Sequence, residues 1–511
     1  MSAPRTHREV ERKFRVHALF ELPALTIGNS TTTTTGEPFE MEAVYHDTRE
    51  LTLFRWGITL RRREGGPDAG WHMKLPVAGA DGTSRDEMQL PLDAGPTGSV
   101  PGSLVEVVSP LLHELPLAPV VTLQTVRAPT VIRDDEGVAL VEIVDDVVTV
   151  RHSGRVVSVF REVEVEALAG DHPLTDEVMA SVSALLLARG AEPNSVSKAA
   201  SALGPQTAQP PDVPEFPVPG PDGLAVDAIR AVLSRHVRHL LMADIGVRRD
   251  LPDSVHQMRV AARRLRSTLT TFAPLLDPVD VEDIREELRW MASELGAIRD
   301  TEVMESRLDE HAGRLADRAD TDRCRTAIDA LLDARLVSAR ASALAALRSD
   351  RHQDLVDDLM RLAVDPPVTD EAYASCAVAL PPLVSRTWRR LAKAVNELDL
   401  DGPSVPWHEA RIKAKRARYA AEAVEEIFGK RMRRLSQALA EITEVLGDHQ
   451  DAYVAQTLLR EFAGLPDIDG ATGLSLGLLH AYETEVEIED RLRFGTAWSH
   501  AVKCAREAGV A

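Results

Sequence analysis

Glu9, Glu11 and Lys13 occupy alternate positions of the segment REVERKFRV, so in a β-strand all three side chains share one face. The inward face of a strand is normally apolar, because an unpaired charge in a low dielectric is costly. Alternating charge therefore predicts a strand facing a wet interior built to hold ions. The same period recurs in four later segments: Arg61 and Arg63 in ITLRRRE, His72 and Lys74 in WHMKLP, Arg85 and Glu87 in SRDEMQLPL, and Glu162, Glu164 and Glu166 in FREVEVEAL. Leu60, Met73, Met88, Val163 and Val165 fall between them, as expected of the packed face. One such strand would read as a solvated edge. Five of them put carboxylates and cations into one space, which is the composition needed to hold divalent ions together with a polyanion. Mg²⁺ prefers oxygen ligands and bridges carboxylates to substrate phosphates, and Arg and Lys take the remaining phosphate oxygens.

The elements that carry these residues occupy only the first part of the chain. With 511 residues and about 150 residues per domain, more than one core is expected. The stretch GPQTAQPPDVPEFPVPGPDG at 204–223 contains seven prolines and no Lys or Arg, so it predicts an extended, semi-rigid linker. Before it, short strand patterns alternate with turns. After it come long Ala-, Leu-, Arg- and Glu-rich segments of period near 3.6. The expected fold class is therefore α+β in two domains: residues 1–203 a β barrel and residues 224–511 all helical.

No stretch approaches about 18 consecutive apolar residues and the N-terminus is polar and charged, so neither a membrane span nor a secretory signal is visible; the expected location is the cytoplasm. Cys324, Cys376 and Cys504 are scattered through helical segments and predict buried thiols rather than a disulfide or a zinc site. The threonines at 31–35 read as a loop. Residues 306–370, helical with mixed charge, read as scaffold.

The helical half repeats itself. VHQMRVAARRLRS at 255–267 is echoed by WHEARIKAKRARYA at 407–420, and LGAIRD by LGDHQD; His256 and His408 lie 152 residues apart, Leu295 and Leu446 lie 151 apart. Two landmarks with matching offsets predict a duplicated unit, about 224–365 and 370–505. At about 100° per residue, His256, Arg259, Arg263 and Arg266 fall within about 80° of one helix face, as do His408, Arg411, Lys415 and Arg418. Beside each cationic stripe runs a separate packing stripe, Met258, Ala262, Leu265 and Leu269 in one copy and Ala410, Ala414, Ala417 and Ala421 in the other. A solvated face ordinarily mixes signs. These stripes hold no acid in a chain of formal net charge −21, which points to a polyanion. A broad basic field is absent and aromatic residues make up 4%, so nucleic acid is not indicated and a chain of bare phosphates is.

The Glu-x-Glu-x-Lys start, the YHDT segment at 45–48, the LRRR strand, FREVEVE and NSVSKAAS ending near Lys198 resemble the CYTH family of triphosphate tunnel metalloenzymes, over about residues 5–203. The resemblance implies an eight-stranded antiparallel tunnel that binds Mg²⁺ or Mn²⁺ and a linear triphosphate. It implies metal-binding carboxylates at Glu9, Glu11, Glu162 and Glu164, with Asp145 and Glu87 as further matches. It implies substrate-binding cations at Lys13, Arg61, Arg63, Lys74, Arg127, Arg133 and Lys198, with Glu9, Glu11, Lys13 and Lys74 in the catalytic set. His46, where the family shows an aromatic residue, is expected to affect packing. The helical half, over about 224–505, resembles the CHAD domain, which implies two related four-helix bundles and binding of inorganic polyphosphate through His256, Arg259, Arg263, Arg266, His408, Arg411, Lys415 and Arg418. Asp300 and Asp451, retained in both copies, are expected to orient neighbouring Arg or His. Together the resemblances imply an inorganic triphosphatase acting without a nucleophilic side chain, associated with polyphosphate or its granules. Two alternatives stand: a tunnel acting on ATP or thiamine triphosphate, as the family's adenylate cyclases and thiamine triphosphatases do, or a tunnel that binds without turnover in a granule adaptor.

Overall fold

The computed structural model describes residues 5–25, 27, 31–77, 84–96, 98–152 and 154–511, with backbone alone at 5–9, 84 and 152. The chain divides into two compact units, Met1–Asp212 and Val213–Ala511.

The first unit is built on strands β1 (Arg5–Val16), β2 (Thr31–Thr35), β3 (Phe39–Asp47), β4 (Thr59–Glu64), β5 (Gly70–Pro76), β6 (Ser84–Leu90), β7 (Ala118–Asp134), β8 (Ala139–His152), β9 (Arg155–Ala167) and β10 (Glu192–Pro193). β1 pairs with β6 through Arg5–Val10 and with β9 through Glu11–Val16, and the antiparallel order β6-β5-β4-β3-β7-β8-β9 completes the circuit. The sheet of eight strands thereby closes on itself, with β2 and β10 as short additions to β7 and β1. The register sets the two faces. Lys13 lies opposite Glu164, Thr59 opposite Lys74, Lys74 opposite Glu87 and Arg127 opposite Asp146, so these alternating charges share the face that lines the ring.

Among the described residues, the helices that accompany the strands are α1 (Thr52–Arg55), α2 (Gly102–Leu112), α3 (Thr175–Ala188) and α4 (Lys198–Leu203). On the outside, Phe14, Val16, Ile143, Val163 and Val165 pack beneath Val178, Val182 and Leu186 of α3. Arg12, on this outer face, donates to Ser183 Oγ at 3.1 Å. On the inside, Ala43, Tyr45, Leu123, Val148 and Val150 form an apolar cluster with Leu51, Phe54 and Ala199.

The threonine run is a strand, β2, paired with Thr130–Asp134 of β7, and not the expected loop. β-branched side chains restrict χ1 and fit a pleated surface, so five in succession favour pairing once a strand edge is available. His46 is buried against the Trp71 ring at 5.1 Å, a packing role. Asp47, beside it, is fully buried and accepts the backbone N–H groups of Thr48 (2.7 Å), Leu53 (2.9 Å) and Phe54 (2.9 Å). Burial nevertheless raises its pKa to about 6 against those three bonds. Asp47→Ala leaves the Thr48 N–H and two donors in the first turn of α1 unsatisfied and is expected to cost about 2–4 kcal/mol, visible as a lower midpoint in denaturant unfolding.

A 3₁₀ turn at Pro205–Ala208 opens the proline-rich stretch. Asp212 pairs with Arg55 at 2.5 Å within the first unit, while Val213 is buried in the second and Pro214 accepts from Ser234.

The second unit is helical: α5 (Ala225–Arg248), α6 (Ser254–Thr271), α7 (Pro278–Glu294), α8 (Gly296–Ala312), α9 (Arg318–Leu347), α10 (Asp350–Val364), α11 (Cys376–Ala379), α12 (Pro381–Val395), α13 (Ser404–Glu422), α14 (Glu425–Phe428), α15 (Lys430–Ala463) and α16 (Gly470–Ala508). The duplication is visible in the caps. Asp317 caps α9 by accepting from Ala319 N, and Asp469, 152 residues on, caps α16 by accepting from Ala471 N. α7 and α8, which break at Leu295, match the uninterrupted α15. Met304, Leu308, Ile328 and Leu332 of the first copy share a core with Leu459, Phe462, Leu476 and Leu479 of the second, so the repeats are fused through their distal hairpins. The three cysteines are free and buried. No described helix is long and apolar enough to cross a membrane.

Candidate functional site

The floor of the tunnel is a network of alternating charge. Glu162 and Glu164 stand on β9, Asp146 on β8, Arg127 on β7, and Glu11 and Lys13 on β1. Ser197 caps α4 by accepting from Ala200 N, which fixes the first helical residue, Lys198, over the same floor. The Lys198 ammonium lies 2.7 Å from Glu164, 2.8 Å from Asp146 and 2.9 Å from Glu162. Lys13 lies 2.9 Å from Glu11 and 3.2 Å from Glu164. Arg127 grips Asp146 with two nitrogens, at 2.9 and 2.6 Å, and reaches Glu164 at 3.2 Å.

Burial disfavours both ammonium groups, yet Glu164 and Glu11 around Lys13, and Asp146, Glu164 and Glu162 around Lys198, hold their pKa values above the lysine range. Burial would likewise raise Glu164, but Lys198, Lys13 and Arg127 hold it well below the usual carboxylate range. Its neighbour Glu162 moves the other way: burial raises it, Lys198 opposes, and the Glu164 charge adds to the rise.

Across the lumen, Arg61 and Arg63 of β4 face His72 and Lys74 of β5 and Glu87 of β6. His72 Nδ1 is 2.9 Å from Glu87 and its Nε2 is 2.8 Å from the Asp68 carbonyl. Arg61 lies 3.8 Å from Glu87 and 3.5 Å from the Tyr45 hydroxyl. Arg63 pairs with Asp68; burial, with Arg61 and Arg127 nearby, lowers its pKa to about 9. Burial lowers His72 to about 4, with the hydrogen bond to Glu87 opposing that shift.

Two expected residues stand elsewhere. Asp145 points to the outer face, where Arg161 holds it with bonds of 2.8 and 2.6 Å; its neighbour Asp146 is the inward carboxylate. Parity decides this: Glu142 and Asp146 share one face, while Ile143 and Asp145 share the face under α3. That alternation was present in VEIVDD. Arg133 does share parity with Arg127, but a register shift after Ile132 and about 20 Å of strand separate them, and it donates to the Gly137 carbonyl. The backbone of Glu9 pairs opposite Arg85; its side chain lies outside the described residues.

A divalent ion suits this donor set. The carboxylates are hard oxygen ligands, and Glu162, 1% exposed, has no hydrogen-bond partner at Oε2 and only an ion pair at Oε1. Among the described residues no three acids or histidines form a ready-made cage, because the Lys13 and Lys198 ammonium groups stand between the carboxylates.

In the helical unit the two cationic stripes meet. Arg263 of α6 donates to the Tyr419 hydroxyl of α13 at 2.7 Å. Arg411 and Lys415 of α13 sense Arg263 and Asp451. Arg259 donates to the Gly296 carbonyl at 2.5 Å and pairs with Asp300 at 3.1 Å, so Asp300 orients an arginine as expected. His408 bonds Gln450 at 2.6 Å and His256 sits near Arg299, Arg263 and Arg259. Burial, followed by the nearby charges of Arg289, Arg285 and Arg416, lowers the pKa of Arg266. Burial, followed by Arg411 and Arg263, lowers Lys415 to about 7.

Beyond Tyr419 opens a cavity of about 390 Å³ lined by Arg235, His236, His239, Arg264, Arg418 and Arg433. Only Arg418 of these was singled out from sequence. Arg264 lies in the first repeated motif but off its cationic stripe, and the others lie on α5 and α15, outside both motifs. The spacing of Arg235, His236 and His239 along α5 was the available signal.

Comparison with known proteins agrees with this architecture. The CYTH domain matches residues 7–201 and the CHAD domain residues 231–460. An uncharacterized protein of Mycobacterium tuberculosis strain H37Rv is 32% identical, covering 96% of this chain and 95% of its own. Among solved structures, PptA from Streptomyces chartreusis is 27% identical over 54% of this chain and 99% of its own, with a TM-score of 0.48. The CHAD domain from the plant Ricinus communis is 25% identical over 55% of this chain and 94% of its own, with a TM-score of 0.45. CYTH domains act on triphosphates with divalent metals, and the charged tunnel floor is the part of this chain suited to that chemistry. With a CYTH tunnel followed by a CHAD helical domain, the chain belongs to the CYTH–CHAD family.

Proposed function

We propose that the tunnel unit is a metal-dependent inorganic triphosphatase, cleaving tripolyphosphate to pyrophosphate and phosphate, and that the helical unit binds inorganic polyphosphate. The observation that carries the first part is the convergence of Lys13, Lys198 and Arg127 on Glu164, Glu162 and Asp146: acids and cations interleaved in one lumen serve a substrate that brings its own negative charge and a metal.

Lys13, Arg61, Arg63, Lys74, Arg127 and Lys198 bind the phosphate oxygens and keep the chain extended for in-line attack. Glu11, Glu162 and Glu164, with Glu9, would hold Mg²⁺ or Mn²⁺, and the ion would supply positive charge at the phosphate oxygens and lower the pKa of water. Asp146 positions Arg127 and Lys198. Phosphoryl transfer needs positioning and charge stabilisation more than covalent chemistry, so no nucleophilic side chain is required. In the helical unit, Arg259, Arg263, Arg411 and Lys415 offer a cationic seam with no base-stacking platform, suited to a phosphate chain in the cytoplasm or at a polyphosphate granule.

The test is phosphate release from tripolyphosphate, ATP and thiamine triphosphate, each with Mg²⁺ or Mn²⁺. Tripolyphosphate is expected to turn over fastest. Preference for ATP or thiamine triphosphate would reassign the substrate, and no release from any of them alongside retained long-chain binding would make the protein a polyphosphate adaptor.

A further inference from the structure

α16 is amphipathic in the wrong direction. Its core face carries Leu476, Leu479, Glu483, Glu487 and Phe494, all buried. The opposite face, an arc of about 80°, carries Leu474, Leu478, Ala481, Glu485, Ile488 and Leu492. The four large apolar residues there are 65%, 44%, 54% and 63% exposed.

The duplication supplies an internal comparison. The same positions of α9, 152 residues earlier, are Asp322, Thr326, Asp329, Asp333, Leu336 and Arg340. The equivalent helix in the same chain therefore has an ordinary polar surface, and the apolar stripe is particular to the second copy.

The stripe is also symmetric about residue 483. Leu474 and Leu492 lie nine residues to either side, Leu478 and Ile488 five, and Ala481 and Glu485 two. A second copy of α16 laid antiparallel about a twofold axis would place Leu against Leu, Leu against Ile, and Ala against the aliphatic stem of Glu. Beside the stripe Gly477 would face Glu489, while Ser475 and Arg491 are turned into their own protomer, bonded to Asp320 and Glu487, so no two like charges stand directly opposite. An isologous interface requires this kind of self-complementarity, and the alternation of four- and three-residue steps is that of an antiparallel helix pair.

We propose that α16 is a homodimerisation helix, pairing antiparallel with α16 of a second copy. The strip is about 27 Å long and roughly 10 Å wide, or about 270 Å² on each protomer, against roughly 800 Å² in a standard interface. The association is therefore reversible and dependent on concentration.

Sedimentation equilibrium of the full-length protein from about 1 to 200 µM should show a monomer–dimer equilibrium. Leu478→Glu and Ile488→Glu, each at an exposed position, should remain monomeric throughout with unchanged thermal unfolding. In a variant carrying both Ala481→Cys and Glu485→Cys, mild oxidation should form a disulfide from position 481 of one protomer to position 485 of the other, identified by peptide mass spectrometry. A wild-type monomer at every concentration, a dimer unaffected by both glutamate variants, or crosslinks joining only like positions would each overturn the proposal.

Discussion

Glu162→Gln is expected to lower metal-dependent phosphate release from tripolyphosphate by about 10²- to 10³-fold without loss of the fold. The amide preserves the volume of a side chain that is almost wholly buried. Lys198 keeps Asp146 and Glu164 as partners at 2.8 and 2.7 Å, so no ammonium is stranded. Burial already works against the Glu162 charge, and removing that charge should change stability by about 1 kcal/mol or less. What the variant loses is a carboxylate whose Oε2 has no protein partner and which is therefore available to a divalent ion. Titration with Mn²⁺ should show weaker activation, partly recovered at high metal concentration. Asp145→Asn is the matched control. Its side chain is bound to Arg161 on the outer face, and turnover should change less than about 2-fold. Full turnover in Glu162→Gln across the metal titration would remove the carboxylate from the mechanism.

The contrast between these two aspartate and glutamate positions shows where sequence reading succeeds and where it stops. Period-two charge was legible because a closed sheet forces every second residue into one lumen, so Glu11, Lys13, Arg61, Lys74, Glu162 and Glu164 could be assigned to a common face before any strand partner was known. Asp145 was misplaced because Asp145 and Asp146 are adjacent and only the strand's parity separates them. Arg133 has the right parity but lies far along β7, a distance that alternation alone does not encode. Lys198 needed the resemblance, since nothing in NSVSKAAS says that the first turn of α4 crosses the tunnel. In the helical unit, both stripes were legible from angular spacing. Their meeting at Tyr419 was not, because it depends on how α6 crosses α13, and neither was the cavity that adds Arg235, His236 and His239 from α5.

The meeting of the stripes sets the last expected result. Arg411→Glu with Lys415→Glu should weaken binding of long-chain polyphosphate by at least about 10²-fold at physiological salt while leaving tripolyphosphate hydrolysis unchanged, because each replaced cation is a phosphate contact and its reversal adds repulsion. The steepness of the salt dependence should fall by about two counterions. Lys415 adds a pH signature. Burial, Arg411 and Arg263 lower its pKa to about 7 in the folded protein, below the unfolded value of about 10.4. Between those values the unfolded chain binds more protons, so the free protein gains stability from this group as pH rises from 7 toward 10. A phosphate chain laid beside the ammonium favours the charged form and raises the pKa again. Binding therefore takes up a proton, and affinity should fall as pH rises from 6.5 to 8.5 by up to about 25-fold if the bound ammonium stays charged throughout. Calorimetry in buffers of different ionisation enthalpy reads that proton directly, and Lys415→Met should abolish the uptake. If the wild type binds polyphosphate with no proton exchange across this range and the double reversal binds as tightly as the wild type, the seam between α6 and α13 is not where the phosphate chain lies.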